Sequence, residues 1–276
     1  MNSPMTSNRK TALVTGASSG IGRELARELA ARGHNLVLAA RSVDRLLSLA
    51  AELEQQHGVC AIPIRADLSA PNAAQELYAE LRRRQIEIDI LVNNAGFNVY
   101  GSFIETDHAN ELALLQVNLV ALVSLTKLMV PDMVKRGYGR ILNLGSTASF
   151  APAPFDSLYA ASKAFVLSFS EALGEELRGL GVTVTTLCPG PTQTEFAERS
   201  GMTDTKIFKG RLANAQEVAA IGYKAMMAGQ AIVIVGLANR LLVLSMRLSP
   251  RSMVTKIAKG LMSKQAQHLK STPQRA

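Results

Sequence analysis

Tyr159 and Lys163 lie four residues apart in Ser157-Leu-Tyr-Ala-Ala-Ser-Lys163, and Ser146 sits upstream at the end of an apolar run. On a helix, positions i and i+4 share a face, so the ammonium can lie beside the phenol. A free phenol titrates near pH ~10, and a neighbouring cation moves that value toward neutrality, each unit reflecting ~1.4 kcal/mol. The oxygen can then exchange a proton with an alcohol or a carbonyl. A serine hydroxyl on a neighbouring strand can hydrogen-bond the same oxygen and polarise it. By itself the pair also fits an amphipathic helix with a packed Tyr and a solvated Lys. The surrounding chain decides between the two.

Apolar runs alternate with amphipathic segments along the 276 residues, 47% of which are hydrophobic. The pattern predicts strands at Thr11–Thr15, Asn35–Ala40, Val59–Ile64, Ile88–Val92, Arg140–Leu144, Val182–Cys188 and Ala231–Val235. Between them it predicts helices over 20–32, 43–56, 71–84, 108–136, 156–179 and 215–228. Continuous apolar strands separated by helices imply a single Rossmann-type, doubly wound α/β domain with a mostly parallel seven-stranded sheet covered on both faces. Pro63 places the third strand near an edge or a bend. Ligands of such sheets sit beyond the C-terminal strand ends, where strand order switches.

The first of those ends carries Thr15-Gly-Ala-Ser-Ser-Gly-Ile-Gly22. Gly16 permits a tight turn, Gly20 a close approach of the backbone to a pyrophosphate, and Gly22 close helix–sheet packing, while helix N–H groups favour phosphate. With this turn the chain resembles the classical short-chain dehydrogenases/reductases over roughly residues 9–236. Ala66-Asp67-Leu68 is similar to that family's adenine-contacting segment, and Asn93-Asn94-Ala95-Gly96 to the motif after its fourth strand. Asn118, Ser146, Tyr159 and Lys163 match its catalytic tetrad, and Pro189-Gly190-Pro-Thr192 with Thr194 its nicotinamide-facing loop.

The resemblance implies that Tyr159 is the acid/base, Ser146 orients the substrate oxygen, Lys163 also holds the nicotinamide ribose, and Asn118 binds a water in a proton relay. Gly16, Ser18, Ser19, Gly20, Ile21, Gly22, Asp67, Leu68, Asn94, Ala95, Gly96, Pro189, Gly190, Thr192 and Thr194 are the expected cofactor contacts beside Tyr159 and Lys163. NAD-preferring sites place an acid at the end of the second strand, on the ribose 2′-hydroxyl. Here that stretch is Leu38-Ala-Ala-Arg41-Ser42, and Arg41 can pair with a 2′-phosphate. NADP(H) is therefore expected over NAD(H).

A variable segment from Glu195 to Gly210 stands where the family has its substrate lid. Phe196, Met202, Ile207 and Phe208, with Phe97, Tyr100, Phe150 and Phe155 from neighbouring loops, either line an apolar pocket or pack the lid down. An apolar ketone or alcohol is the expected substrate, and the activity expected is that of a carbonyl reductase or alcohol dehydrogenase. The alternatives are a non-catalytic NADP(H)-binding sensor or scaffold, and a membrane-surface lipid-modifying reductase.

Net charge is +8, but residues 206–276 carry +11 and residues 1–205 carry −3. Residues 1–236 read as the catalytic domain, with 1–8 a flexible arm, and 237–276 as a basic helical extension broken at Ser249-Pro250. Its two apolar, acid-free helices can cover the pocket or a subunit interface, or lie on an anionic membrane surface. The absence of aromatic interleaving or a reading module argues against nucleic acid. The opening residues lack a signal-peptide run, and no uncharged apolar stretch reaches the ~20 residues of a spanning helix. Cys60 and Cys188, each in a predicted strand, read as reduced thiols, and no cysteine or histidine has metal-ligand spacing. The expected location is cytoplasmic, peripheral at most to a membrane. By family analogy, helices 108–136 and 156–179 pair between subunits in a homodimer or homotetramer.

Overall fold

Seven apolar runs join one sheet because each offers side chains to both faces and can be buried only between two layers of helix. The computed structural model describes residues 9–263. Strands β1 (Thr11–Thr15), β2 (Asn35–Ala40), β3 (Ala61–Arg65), β4 (Ile90–Asn93), β5 (Gly139–Leu144), β6 (Val182–Cys188) and β7 (Ile232–Ile234) stand in the order β3-β2-β1-β4-β5-β6-β7. Every neighbouring pair is parallel, so "mostly parallel" becomes wholly parallel. Pro63 lies on the edge strand β3, opposite Leu38, where its missing N–H can face away from the ladder. Cys60 falls one residue before β3 rather than within it.

Alternation along β1 shows how the layers form. Ala12 and Val14 enter one core with helices α1 (Gly20–Ala31), α2 (Val43–His57) and, further along the chain, 215–227. Leu13 enters the other, with α3 (Ala73–Arg83) and residues Leu125, Met129 and Met133. The expected helix over 108–136 is three pieces: α4 (His108–Leu115), a π-helical turn Gln116–Ala121, and α5 (Leu122–Lys135). By length and composition this run would pass for a membrane span. It nevertheless lies on the sheet, with Leu114, Leu125, Met129 and Met133 buried. The remaining helices are α6 (Ser157–Glu176), α7 (Phe196–Arg199), α8 (Ala215–Met227), α9 (Leu237–Leu248) and α10 (Arg251–Met262). The proposed arm 1–8 lies outside the described residues.

A buried polar chain fixes α5 and α6 against the strand ends. The Asn93 amide donates to Asn143 Oδ1 at 2.9 Å and to Thr126 Oγ1 at 3.1 Å. The Asn143 amide donates to Ser170 Oγ at 2.8 Å, and Ser170 donates to Val166 O. Two strands and two helices are thereby held in one register, away from water. Asn143→Ala removes one partner each from Asn93 and Ser170, which keep Thr126 and Val166, and is expected to cost about 1–3 kcal/mol of stability. The urea midpoint reads this; an unchanged midpoint would show that the chain contributes nothing.

Candidate active site

The site stands at the C-terminal ends of β1, β4, β5 and β6, astride the reversal between β1 and β4. Its floor is a latch. Thr15 Oγ1 donates to Val92 O at 3.1 Å and accepts from the N–H groups of Asn94 and Ala95. The Asn94 amide donates to Thr15 O at 2.9 Å and to Gly16 O at 3.3 Å. Gly16, at φ +66°, and Gly22 both face this amide, and a Cβ on Gly22 would lie 2.2 Å from Asn94 Nδ2 and 2.4 Å from Gly16 O. No side chain caps α1 at Ser19, so its first N–H groups remain open to the cleft.

The reacting groups come from β5 and α6. Ser146, fully extended at φ −165°, follows β5 and opens a short 3-10 turn over Thr147–Phe150. Its N–H donates to Ser149 Oγ, and its Oγ accepts from the Ala148 N–H at 3.1 Å and hydrogen-bonds to the Tyr159 phenol. Tyr159 and Lys163 share a face of α6, as their spacing requires, with Lys163 Nζ 5.5 Å from the Tyr159 ring centroid. Lys163 is only 4% exposed and donates to Leu144 O at 2.7 Å. Phe196 of α7 packs on Tyr159 with centroids 5.5 Å apart.

Asn118 lies in the π-helical turn and is buried. Its Oδ1 accepts from the Phe97 N–H at 3.1 Å, and its amide donates to Phe97 O and to Ser162 Oγ, which in turn donates to Tyr159 O. The turn that carries it is thus fastened both to the loop after β4 and to α6. A Cβ on Gly96 would lie 3.0 Å from Asn118 Oδ1 and 3.7 Å from Lys163 Nζ, so a backbone without a side chain separates the two.

The electrostatics depart from expectation in one respect. Burial pushes the Tyr159 phenol well above its ordinary value, and the charge of Asp156 adds to the rise, while only the Ser146 hydrogen bond opposes them. Burial also pushes the Lys163 ammonium down to about 8. The expected acidification of Tyr159 by Lys163 is therefore corrected: desolvation outweighs it among the chain's own groups.

Asp156 was not singled out from the sequence. It precedes α6, is 1% exposed, lines the cleft, and has one carboxyl oxygen without a partner. Burial raises its carboxyl to about 7, against a hydrogen bond with Asn98. The only hint was an acid set among apolar residues three positions before the tyrosine.

These elements enclose a cleft of about 830 Å³. Along it lie Gly16, Ser18, Ser19, Gly20, Ile21, Arg41, Asp67, Leu68, Asn94, Ala95, Gly96, Ser146, Tyr159, Lys163, Pro189, Gly190, Thr192, Thr194 and Phe196. Gly22 and Asn118 stand behind the lining, and Phe150 and Phe155 outside it. Phe150 faces Arg247 of α9, and Phe155 lies tilted against Tyr100 and faces Lys259 of α10. Arg41 follows β2 with no acid at that strand end, and its charge, with the Ser69 hydrogen bond that leads, holds Asp67 below the usual carboxylate range. The cleft's far wall is the C-terminal extension: Leu242 and Met246 of α9, with Val254, Ala258 and Met262 of α10. Tyr100 donates to Met262 O, and Asn239 packs on Gly190, where a Cβ would meet it at 2.6 Å.

Residues 10–204 match the family model for short chain dehydrogenase. A ketoacyl reductase, HetN, of Nostoc is 35% identical over 205 residues, covering 74% of this chain and 69% of that protein. Mouse 17-beta-hydroxysteroid dehydrogenase type 3 is 35% identical over 189 residues, which is 68% of this chain but only 61% of the relative's length. A short-chain dehydrogenase from Sphingobium yanoikuyae, solved in complex with NADPH, superposes with a TM-score of 0.78 at 35% identity, covering 86% of this chain and 92% of that one.

Asp156 makes the fold itself sensitive to pH. Its carboxyl is raised to about 7 in the folded chain, whereas an unfolded Asp titrates near ~3.9. The native state then binds the extra proton between these values, so stability falls as pH rises from about 4 to 7 and is level above. Asp156→Asn is expected to melt higher than the parent at pH 8, with the gap closing toward pH 5. Parallel melting curves at both pH values would refute this.

Proposed function

The chain belongs to the short-chain dehydrogenase family, and within it we propose an NADP(H)-dependent carbonyl reductase acting on bulky apolar ketones. The observation that carries the reading is the convergence of Ser146, Tyr159 and Lys163 on one cleft with the glycine turn after β1. The donor set fits a dinucleotide: open helix N–H groups beside Gly16 and Gly20 suit its pyrophosphate, and Asp67 with Leu68 suit its adenine end. Arg41, with no acid at its strand end, suits a 2′-phosphate. When bound, that cofactor supplies the hydride.

The chain's own residues handle the oxygen. The Ser146 hydroxyl hydrogen-bonds the carbonyl oxygen and orients it. Tyr159, held protonated at neutral pH by burial and by Asp156, gives that oxygen its proton. Lys163 places positive charge beneath the phenol and reaches toward the ribose, while Asn118 holds the π-helical turn, Phe97 and α6 in one arrangement. The apolar wall built by Phe196, Met202, Phe208, Met246 and Met262 excludes water and suits an acyl or polycyclic substrate. The relatives' ketoacyl and steroid names agree with that choice. Exposed Leu112, Val120 and Phe165 on α4, the π-helical turn and α6 support assembly into a homo-oligomer through these helices.

Tyr159→Phe is expected to lower kcat by about 10²–10⁴-fold while NADPH still binds, read by fluorescence titration. Full turnover in that variant would remove Tyr159 from the chemistry. Tight NADPH binding by the parent with no oxidation across a panel of bulky ketones would instead favour a cofactor sensor. Arg41→Ala is expected to weaken NADPH roughly 10–100-fold, the worth of a charge-assisted hydrogen bond, and to leave NADH unchanged. An NADH preference in the parent enzyme would overturn the cofactor assignment.

A further inference from the structure

Helix α9 is apolar on two sides. Its inner side places Val243 in the packing and Leu242 and Met246 along the cleft. Its outer side carries Leu237, Leu241, Leu244 and Leu248, at i, i+4, i+7 and i+11, a single helical stripe. These leucines are 72%, 59%, 54% and 81% exposed. Scattered exposed apolar residues are ordinary on a protein surface, but a continuous row marks a docking face. Helix α10 offers less to the outside: Val254 and Met262 are buried, Ile257 and Leu261 lie along the cleft, and Met253 is exposed away from it.

The charges on the same two helices select the occupant. Arg240, Arg247, Arg251, Lys256 and Lys259 are all exposed, and residues 237–263 contain no Asp or Glu. A second copy laid on this face would set cation against cation. An anionic lipid surface accepts both features, since leucines enter the acyl boundary while the basic side chains reach headgroup phosphates. We propose that α9 and α10 form a platform that docks the protein on anionic membranes. Because the inner faces of these helices wall the cleft, docking sets the mouth of the site against the bilayer. If the reductase reading above holds, apolar substrate enters from the lipid phase.

The test uses the full chain and needs no substrate. Co-sedimentation is measured with phosphatidylcholine vesicles and with vesicles containing phosphatidylglycerol, at low and high salt. Binding is expected only to the anionic vesicles and to weaken with salt. The variant L241S/L244S/L248S is expected to lose about tenfold or more of that binding at an unchanged melting temperature. R251Q/K256Q is expected to lose on the order of fivefold per cation. Absence of binding to anionic vesicles, or equal binding by the leucine variant, would overturn the proposal. So would a leucine variant that leaves vesicle binding intact but lowers the oligomeric state in sedimentation velocity, since the face would then be a contact between copies. Tyr159→Phe should bind vesicles like the parent, so failure of the reductase reading leaves the docking result interpretable.

Discussion

The structure turns on one desolvated pair. Lys163 and Tyr159 occupy successive turns of α6, and among the described residues the ammonium has one strong acceptor, the carbonyl of Leu144 at the end of β5. A cation so enclosed is tolerated only where its partner is held firmly. The sheet does the holding. β5 lies between β4 and β6, and α6 is tied down through Asn143 and Ser170 below and through Ser162 and Asn118 above. Loosening either anchor would let water reach the ammonium and release the geometry that gives the phenol its reach.

Around that pair, burial outweighs the influences that oppose it. Burial and Asp156 keep the phenol neutral, the Ser146 hydrogen bond favours its ionised form, and burial draws the ammonium toward neutrality. No group is at its ordinary value, as expected where a cleft must both exclude water and move a proton. Asp156 matters because it is itself suspended between forms at about 7. When it ionises, it opposes ionisation of the tyrosine.

Most of the scaffold could be read from residue order because local pattern and tertiary role coincide. Unbroken apolar runs became central strands, glycines spaced for a tight turn produced one, and a tyrosine and lysine one helical turn apart came to lie together. What escaped depends on neighbours distant in sequence. Asp156 is an ordinary surface-type residue by composition, and only its burial under Asn98 and the walls of the cleft changes its chemistry. Phe150 and Phe155 were plausible pocket residues by position, yet their backbone turns them toward Arg247 and Lys259 of the C-terminal helices. The expected influence of Lys163 on Tyr159 considered charge alone, whereas the depth of the site sets the larger effect.

The π-helical turn at Gln116–Ala121 has a consequence for how this chain can change over time. Such a turn holds one residue more than the regular helix on either side. Deleting a residue there would close the turn to ordinary winding and leave the helices on either side in phase. The widened turn that carries Asn118 to Phe97 and Ser162 would be lost, although the buried face of α5 would keep its place on the sheet. This stretch can therefore drift by exchange of residues but not by change of length, and the extra residue is a fixed dimension of the site.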